Sequence, residues 1–447
     1  MTSYPSLPRL QISTNQRFLI TEEGVPFFWL ADTAWELLHR LDREEMQHYL
    51  YTRAKQGFNV IQTVALAELD GLHTPNAYGR APLQKDSSGL PDPLQPDLDG
   101  EYSYWHHVDE MIRMAASMGM YTALLPTWGD KFYRMWGKGP EIFTPDNAFV
   151  YGKWLGERYR DVPSLIWVLG GDRPLQTRRH FEIIRQMALG IREGDQGGHL
   201  MTFHPKGGVS SSLYVHEESW LDFNMVQSSH SAGVRNNYRL IQADYHLDPV
   251  KPTLDAEPCY EDIPIDFNPD NGYFDEADVR QAAYYAVFSG AAGHTYGHHS
   301  VWAMADGMYS SVDMEQQGAF FIMSWQDALQ RPGAGQMKYL HQLMTSVNLL
   351  TAHPAGHLLE EPLSGANTPM AIKGDDYIFI YCPQGLYVKV ILGALPNYDL
   401  TARWYCPRTG QHQGAEQVEN IDTRLFTSPS SGRGNDWVLC LYSGIKE

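Results

Sequence analysis

The sequence predicts an α/β protein, a (β/α)8 TIM barrel in residues 1–350 followed by a small antiparallel β-sandwich in residues 351–447. Three observations support this fold. Short apolar runs alternate with helical segments up to about residue 330, polar side chains follow the ends of those runs, and alternating β segments begin after Leu350. Because repeated strand–helix units build a parallel sheet covered by helices, eight such units predict a closed barrel.

The first strand–helix unit follows a short N-terminal β extension. A continuous apolar run at 27–31 is typical of a strand that is buried on both faces. A helix then begins after Asp42, which can cap it together with Glu45. The helix ends before Gly57, because glycine readily adopts the left-handed conformation of a helix stop. The second strand is expected at 59–63.

The remaining six strands are predicted from apolar runs of the same kind. They are expected at 120–125, 165–169, 199–203, 223–227, 252–256 and 291–296. The helix before the third strand has apolar side chains at helical spacing from Trp105 to Ala115 and stops at Gly119. No glycine-rich dinucleotide or P-loop motif follows any run, so an open nucleotide-binding sheet is not predicted.

The last hundred residues have the alternating pattern of antiparallel strands. Segments 377–381 and 386–391 are separated by the turn at 383–385, as expected for neighbouring strands of a sandwich. Four cysteines, three of them in this part of the chain, show no metal-binding spacing. We expect free thiols, with one disulfide in the last quarter as the alternative, and we expect no cofactor.

Charge and hydropathy limit the classes of partner. The chain has 34 Lys and Arg against 53 Asp and Glu and a net charge of -19, so attraction to nucleic acid or to anionic lipid is not expected. No stretch reaches the ~20 apolar residues that a spanning helix needs, and the N-terminus lacks the pattern of a signal peptide. We therefore expect a cytoplasmic protein that does not bind membranes. A secreted chain trimmed of its leader would have the same pattern.

Two acidic residues follow strand ends, where barrel enzymes place their chemistry. Strand four ends in Gly170–Gly171–Asp172, whose glycines allow close backbone approach, and strand seven ends in Asp255–Ala256–Glu257. Glycoside hydrolysis needs a carboxylic acid that protonates the leaving oxygen and a carboxylate that attacks the anomeric carbon or activates water. Asp172 and Glu257 can supply this pair, with Asp255 as the rival of Glu257 or its support. Each acid also has a structural interpretation, as a turn former or a strand-closing residue.

Five further residues near strand ends are candidates for binding a sugar. Asp32, His298 and His299 can form hydrogen bonds with hydroxyls, and Trp128 and Trp302 can stack on a sugar face. Helix capping is the alternative role for Asp32, and barrel-to-helix packing is the alternative for the tryptophans. The two histidines belong to a histidine-rich segment that also suggests a metal site. Because strand one carries no His–X–His pair, we expect no catalytic metal.

Four segments of the sequence together resemble the apiosidase family of glycoside hydrolases. They are the segments 28–35, 167–172, 257–261 and 294–302, which read FWLADTAW, WVLGGD, EPCYE and HTYGHHSVW. The resemblance extends over nearly the whole chain, since the barrel of that family is followed by a C-terminal domain labelled collagen-binding. It implies an exo-acting enzyme that removes terminal apiose from plant glycans or glycosides. By the same resemblance, Asp172 is the general acid/base and Glu257 the nucleophile.

Strand four departs from the pattern of the wider group of barrel glycosidases. That strand commonly ends in Asn-Glu, whereas this chain has Gly171–Asp172, and the shorter acid could change the separation of the carboxyl groups. We expect the retaining course, which needs about 5 Å between them. Two alternatives stay open, namely another glycosidase on this scaffold, such as an arabinofuranosidase or an endo-acting glycanase, and a non-catalytic carbohydrate-binding protein.

Overall fold

A computed structural model describes residues 7–307 and 320–444, and eight parallel strands form a barrel within them. The strands are β1 (Trp29–Thr33), β2 (Val60–Val64), β3 (Tyr121–Leu125), β4 (Leu165–Gly170), β5 (Met201–His204), β6 (Asn224–Gln227), β7 (Thr253–Asp255) and β8 (Gly293–Tyr296). Each strand overlaps the run from which it was predicted. The predicted (β/α)8 barrel is therefore confirmed.

The barrel strands neighbour one another in the order in which they occur in the chain. Parallel pairing runs β5-β4-β3-β2-β1-β8-β7-β6. At the seam between β5 and β6, the Asp222 amide donates to the Met201 carbonyl at 2.8 Å, and Thr202 Oγ1 donates to the Phe223 carbonyl at 2.6 Å. A short strand at Val209–Ser210 pairs antiparallel with β6. Loops that are consecutive in sequence therefore lie side by side at the mouth of the barrel.

Helices connect the strands and cover the outside of the barrel. The longer ones are α1 (Arg43–Lys55), α2 (Tyr104–Ser117), α3 (Pro145–Tyr159), α4 (Arg178–Asp195), α5 (Tyr238–Tyr245), α6 (Glu276–Phe288) and α7 (Pro332–Thr345). Asp42 and Glu45 form the predicted capping box of α1, and Gly57 follows the helix with a φ of 90°. None of the helices in the described ranges has both the length and the apolar character that crossing a bilayer requires.

Smaller strands and helices lie at the N-terminus and in the connections of the barrel. Three strands form an N-terminal sheet, at Leu10–Ile12, Leu19–Thr21 and Pro26–Phe27, and two pair in the loop after β2, at Leu83–Lys85 and Pro91–Pro96. Short helices lie at Leu37–Arg40, Ser212–Val215, His299–Trp302 and Trp325–Ala328. The short helix at His299–Trp302 directly follows β8 and therefore carries residues to the mouth of the barrel.

The chain after α7 forms the predicted antiparallel β-sandwich. Its strands are β9 (His353–Pro354), β10 (Met370–Lys373), β11 (Tyr377–Cys382), β12 (Tyr387–Ile391), β13 (Asp399–Tyr405), β14 (His412–Glu419), β15 (Thr423–Thr427) and β16 (Trp437–Ser443). Six of them form one sheet, and β12 and β15 form a ribbon that covers an apolar core including Val388, Phe426 and Leu439. No disulfide joins the four cysteines within the described ranges.

The sandwich packs against α6 through apolar and ionic contacts. The Tyr381 ring stacks on Tyr284 with ring centroids 4.7 Å apart, and Arg280 Nη2 lies 2.7 Å from Asp436 Oδ1. Both members of this ion pair are buried, so removing Asp436 would leave the charge of Arg280 uncompensated in the interior. Asp436 itself also pairs with Arg408 at 2.9 Å. Because α6 also packs on β7 and β8, the sandwich is attached to the outside of the barrel at these two strands.

Candidate active site

A cavity of about 430 Å³ opens at the carboxyl ends of the barrel strands. Asp172, after β4, and Glu257, after β7, both line it. The other lining residues come from the ends of seven strands or from the loops that follow them. They are Trp35 after β1, Glu68 after β2, Trp128 and Trp136 after β3, Lys206 and Gly207 after β5, Gln227, Ser229 and His230 from β6 and its loop, Tyr260, Ile263 and Phe267 after β7, and His299 and Trp302 after β8. This is the position at which (β/α)8 enzymes carry their active sites.

An unusual turn at the end of β4 presents Asp172 to the cavity. Gly170, Gly171 and Asp172 have consecutive positive φ values of 95°, 107° and 60°. A Cβ atom on Gly170 would lie 2.3 Å from the His204 carbonyl oxygen, and one on Gly171 would lie 2.6 Å from the Gly129 nitrogen, so side chains do not fit at either position. The left-handed conformation of a residue other than glycine costs of order 1–3 kcal/mol and is concentrated at functional sites.

The environment of Asp172 favours its protonated form. Burial raises the pKa of this carboxyl to about 6, and the negative charge of Glu257 adds to the rise. The charges of Arg173 and His204 and a hydrogen bond with Gln227 act in the opposite direction. Arg173 Nη1 is 3.4 Å from Asp172 Oδ2. Asp172 therefore holds its proton in mildly acidic solution, as a general acid must.

The environment of Glu257 favours its ionised form. Burial alone would raise the pKa of Glu257, but two histidines lower it to about 2. His204 Nε2 lies 2.9 Å from Oε2, and His230 Nε2 lies 3.3 Å from Oε1. The Tyr260 hydroxyl forms a hydrogen bond with the same carboxylate and accepts one from Trp35 Nε1 at 3.2 Å. The carboxylate is thus both ionised and oriented, which suits a nucleophile or a base.

Asp255, the sequence rival of Glu257, does not line the cavity. Its side chain is fully buried, and Oδ2 accepts hydrogen bonds from Ser228 Oγ at 2.9 Å and Asn237 Nδ2 at 2.8 Å. Ser228 stands in the loop after β6, two residues before His230. Asp255 therefore supports the loop that positions a partner of Glu257, and Glu257 is the one of these two carboxylates that faces the cavity.

Three of the five predicted sugar-binding residues, Trp128, His299 and Trp302, line the cavity. Trp128 Nε1 is buried without a protein partner among the described residues. His299 Nδ1 accepts a hydrogen bond from Trp302 Nε1 at 3.4 Å, while burial lowers the pKa of His299 well below its usual value. Its Nε2 atom, also unpartnered, therefore carries the hydrogen and can donate it to a sugar hydroxyl.

Asp32 and His298 lie outside the cavity wall, and their predicted role in sugar binding is corrected. Asp32 belongs to β1 itself, and its Oδ2 atom accepts hydrogen bonds from Arg53 at 2.7 Å and Tyr49 at 2.6 Å, both on α1. Because side chains alternate along a strand, Asp32 points to the covering helix and not to the mouth. His298 Nε2 is 3.0 Å from Asp262 Oδ2, and the residue caps the short helix that follows it.

The histidines of segment 294–299 do not point to one shared site. His294 lies in β8 and is fully buried, which lowers its pKa to about 3. His298 is bonded to Asp262, and His299 faces the cavity. In residues 7–307 and 320–444, no three histidine, cysteine, aspartate or glutamate side chains are grouped so that they could hold a metal ion.

Several residues of the site were missed by the sequence reasoning. They are Trp35, Glu68, Trp136, His204, Lys206, Gln227, His230 and Tyr260. His204 and Gln227 are the last residues of β5 and β6, so the strand-end rule that found Asp172 and Glu257 could also have found them. His230 and Trp136 stand farther along their loops, where no motif marks them, whereas Tyr260 stands in the segment 257–261 that carries part of the family resemblance.

Two family models match consecutive parts of the chain. The model described as "Apiosidase-like, catalytic domain" matches residues 13–351. The model described as "Putative collagen-binding domain of a collagenase" matches residues 355–442. No curated protein is similar enough to this chain to count as a match.

Solved structures of glycoside hydrolases are similar to the chain over its whole length. A crystal structure of a glycoside hydrolase family 5 protein from Bacteroides vulgatus is 31% identical, with 98% of this chain and 94% of that chain covered at a TM-score of 0.89. A second structure, described as a glycoside hydrolase, is 30% identical over 100% of both chains, also at 0.89. An α-amylase from Geobacillus thermoleovorans is 10% identical, covers 94% of this chain and 99% of its own, and shares only the fold at a TM-score of 0.54.

Proposed function

This chain belongs to the apiosidase-like family of glycoside hydrolases, and we propose that it releases terminal apiose from plant glycans or glycosides by a retaining mechanism. Glycoside hydrolysis follows from the family, whereas the sugar and the stereochemical course are the proposal. The observation that carries it is the pair Asp172 and Glu257, which line one cavity from the ends of β4 and β7 and have opposite proton affinity.

The two carboxyl groups suit the two steps of a retaining reaction. In the first step, the Glu257 carboxylate attacks the anomeric carbon while Asp172 gives its proton to the glycosidic oxygen, and the leaving group departs as a neutral alcohol. In the second step, the ionised Asp172 takes a proton from a water molecule that attacks the same carbon. The bond to Glu257 then breaks, and both carboxyl groups return to their starting states.

The shape of the cavity supports the release of one terminal sugar. The residues near Glu257 are buried, with Trp35, Tyr260 and Trp302 each no more than 6% exposed. A buried wall of this kind accommodates a single terminal sugar better than the middle of an extended glycan. The volume of about 430 Å³ also lies in the lower part of the range for small-molecule sites, about 300–1,000 Å³.

A second candidate is another glycosidase on the same scaffold, such as an arabinofuranosidase or an endo-acting glycanase. The 31% identical structure favours it, because that protein is described by glycoside hydrolase family 5 and not by apiose. A non-catalytic carbohydrate-binding protein is not supported, since both carboxyl groups line the same cavity.

Product analysis across a panel of substrates tests the proposal. The panel contains apiose-bearing plant glycosides, arabinofuranosides and aryl glycosides of common hexoses, and Glu257→Gln serves as the inactive control. Release of apiose by the wild-type enzyme alone supports the proposed function. Release of arabinose or of internal oligosaccharides, with apiosides left intact, would replace it with the second candidate.

A further inference from the structure

The wall of the active-site cavity has a buried side and an exposed side. Trp35, Tyr260 and Trp302, from the loops after β1, β7 and β8, are buried, whereas Phe267, farther along the loop after β7, is 43% exposed. The loops after β3 and β5 contribute Trp136, which is 36% exposed, and Lys206, which is partly exposed. Since β3, β4 and β5 are neighbours in the barrel, the loop that carries Asp172 lies between the loops of these two exposed residues.

The Trp136 ring packs on a buried arginine, Arg173. The guanidinium carbon of Arg173 is 4.3 Å from the centre of the Trp136 ring, and Arg173 is fully buried, with Nε donating to the Tyr133 carbonyl at 3.1 Å. Gly137 permits this packing, because a Cβ atom there would lie 2.7 Å from Arg173 Nη2. Arg173 therefore supports the ring of an exposed tryptophan, which leaves the uncovered part of that ring available for a ligand.

The chemistry of the reaction decides which part of a substrate meets this exposed side. The acid protonates the oxygen that stays with the leaving group, so the leaving group must lie next to Asp172. The sugar that is cut off must lie next to Glu257, on the buried side. The loops that carry Trp136 and Lys206 lie on either side of the loop of Asp172, and both residues line the cavity, which places them on the side of the leaving group.

We propose that Trp136 and Lys206 form a leaving-group subsite that binds a sugar ring. A tryptophan face packs against the apolar C–H face of a sugar, and an ammonium group donates hydrogen bonds to hydroxyls. A simple alcohol would use neither contact, and a flat phenolic ring with few hydroxyls would make little use of Lys206. This inference rests on the proposed function, because it takes Asp172 as the acid.

Two substrates with the same departing apiose and different leaving groups test the subsite. For an apiosyl glucoside, Trp136→Ala should lower kcat/KM about 10-fold or more, because the sugar loses the apolar surface that it buries on the tryptophan face. For methyl apioside, the same variant should change kcat/KM by less than about threefold, because the methyl group does not reach the ring. Lys206→Ala should lower kcat/KM for the glucoside about 2- to 10-fold, as for one lost hydrogen bond, and Trp136→Phe should restore most of the activity.

Phe267→Ala is the matched control. Phe267 is an exposed aromatic residue of the same cavity, at 43%, but it follows β7 and lies on the side of Glu257. Its removal should alter both substrates by the same factor. Equal losses on both substrates in Trp136→Ala and in Lys206→Ala would overturn the subsite while the proposed function stands. A wild-type enzyme that cleaves neither apioside, although folded, would overturn the proposed function and the subsite together.

Discussion

Asp172 and Glu257, two of the three carboxyl groups that line the cavity, differ in exposure, in partners and in backbone conformation. The Glu257 side chain is 7% exposed and is contacted by two histidines, and its pKa is lowered to about 2. The Asp172 side chain is 19% exposed, stands on a left-handed residue with Arg173 3.4 Å away, and has a pKa raised to about 6. The comparison teaches that the surroundings, and not the type of acid, set the protonation states on which the two proposed roles depend.

Among the variants that test this difference between the two carboxyl groups, we expect the largest loss of activity when Glu257 is neutralised. Glu257→Gln keeps the shape of the side chain and removes the nucleophile, so we expect kcat/KM to fall by more than about 10⁴-fold. The variant should also lose stability, because the histidine contacts that lower the pKa of Glu257 favour a charged carboxylate over a neutral amide in the folded state. Activity above about 1% of wild type in a correctly folded variant would remove Glu257 from the role of nucleophile.

Removing Asp172 should give a loss that depends on the leaving group. In Asp172→Ala, hydrolysis of a sugar-linked substrate should fall about 10²- to 10⁴-fold, the usual contribution of a general acid. An activated aryl glycoside needs little protonation, so its glycosylation step should be nearly retained. Azide should then restore turnover by replacing the water that Asp172 activates. A similar loss with both leaving groups, without rescue by azide, would show that Asp172 is not the acid.

The pH dependence of the wild-type enzyme should reflect both environments. Turnover requires ionised Glu257 and protonated Asp172, so kcat/KM should rise as pH increases through about 2 and fall as pH increases through about 6. These limits describe the coupled pair of carboxyl groups and not each residue alone. Initial rates between pH 2 and pH 9 measure the profile, with a sugar-linked substrate whose leaving group needs protonation. A rate that keeps rising above pH 7 would contradict the assignment of a protonated Asp172.

The smallest effect expected is a shift of the acidic limit when a histidine partner of Glu257 is removed. His230→Ala deletes a contact that favours the ionised carboxylate, so the pKa of Glu257 should rise and the acidic limit should move upward by about one unit. His298→Ala is the matched control, because that buried histidine contacts Asp262 and lies off the cavity wall. An unchanged limit in His230→Ala, or the same shift in His298→Ala, would show that the histidine contact does not set the ionisation of Glu257.

The sequence alone predicted the fold and the pair of acids for the same physical reason. Strands buried on both faces leave apolar runs that can be recognised, and the polar residue after such a run lies at the mouth of a barrel. The same rule was wrong for Asp32 because it does not give the direction of a side chain inside a strand. It also did not identify His230 as a partner of Glu257, since the two are 27 residues apart and only the folded barrel brings them together.

The assignment of the two carboxyl groups is tested most directly by trapping the glycosyl-enzyme. A 2-deoxy-2-fluoro glycoside with an activated leaving group slows both steps of a retaining reaction, and the second step becomes slow enough for the covalent intermediate to accumulate. Mass spectrometry of the digested protein then identifies the labelled residue. We predict one sugar attached to the peptide that contains Glu257. A label on Asp172 or Asp255, or a released sugar of inverted configuration without any label, would contradict the proposed roles of Asp172 and Glu257.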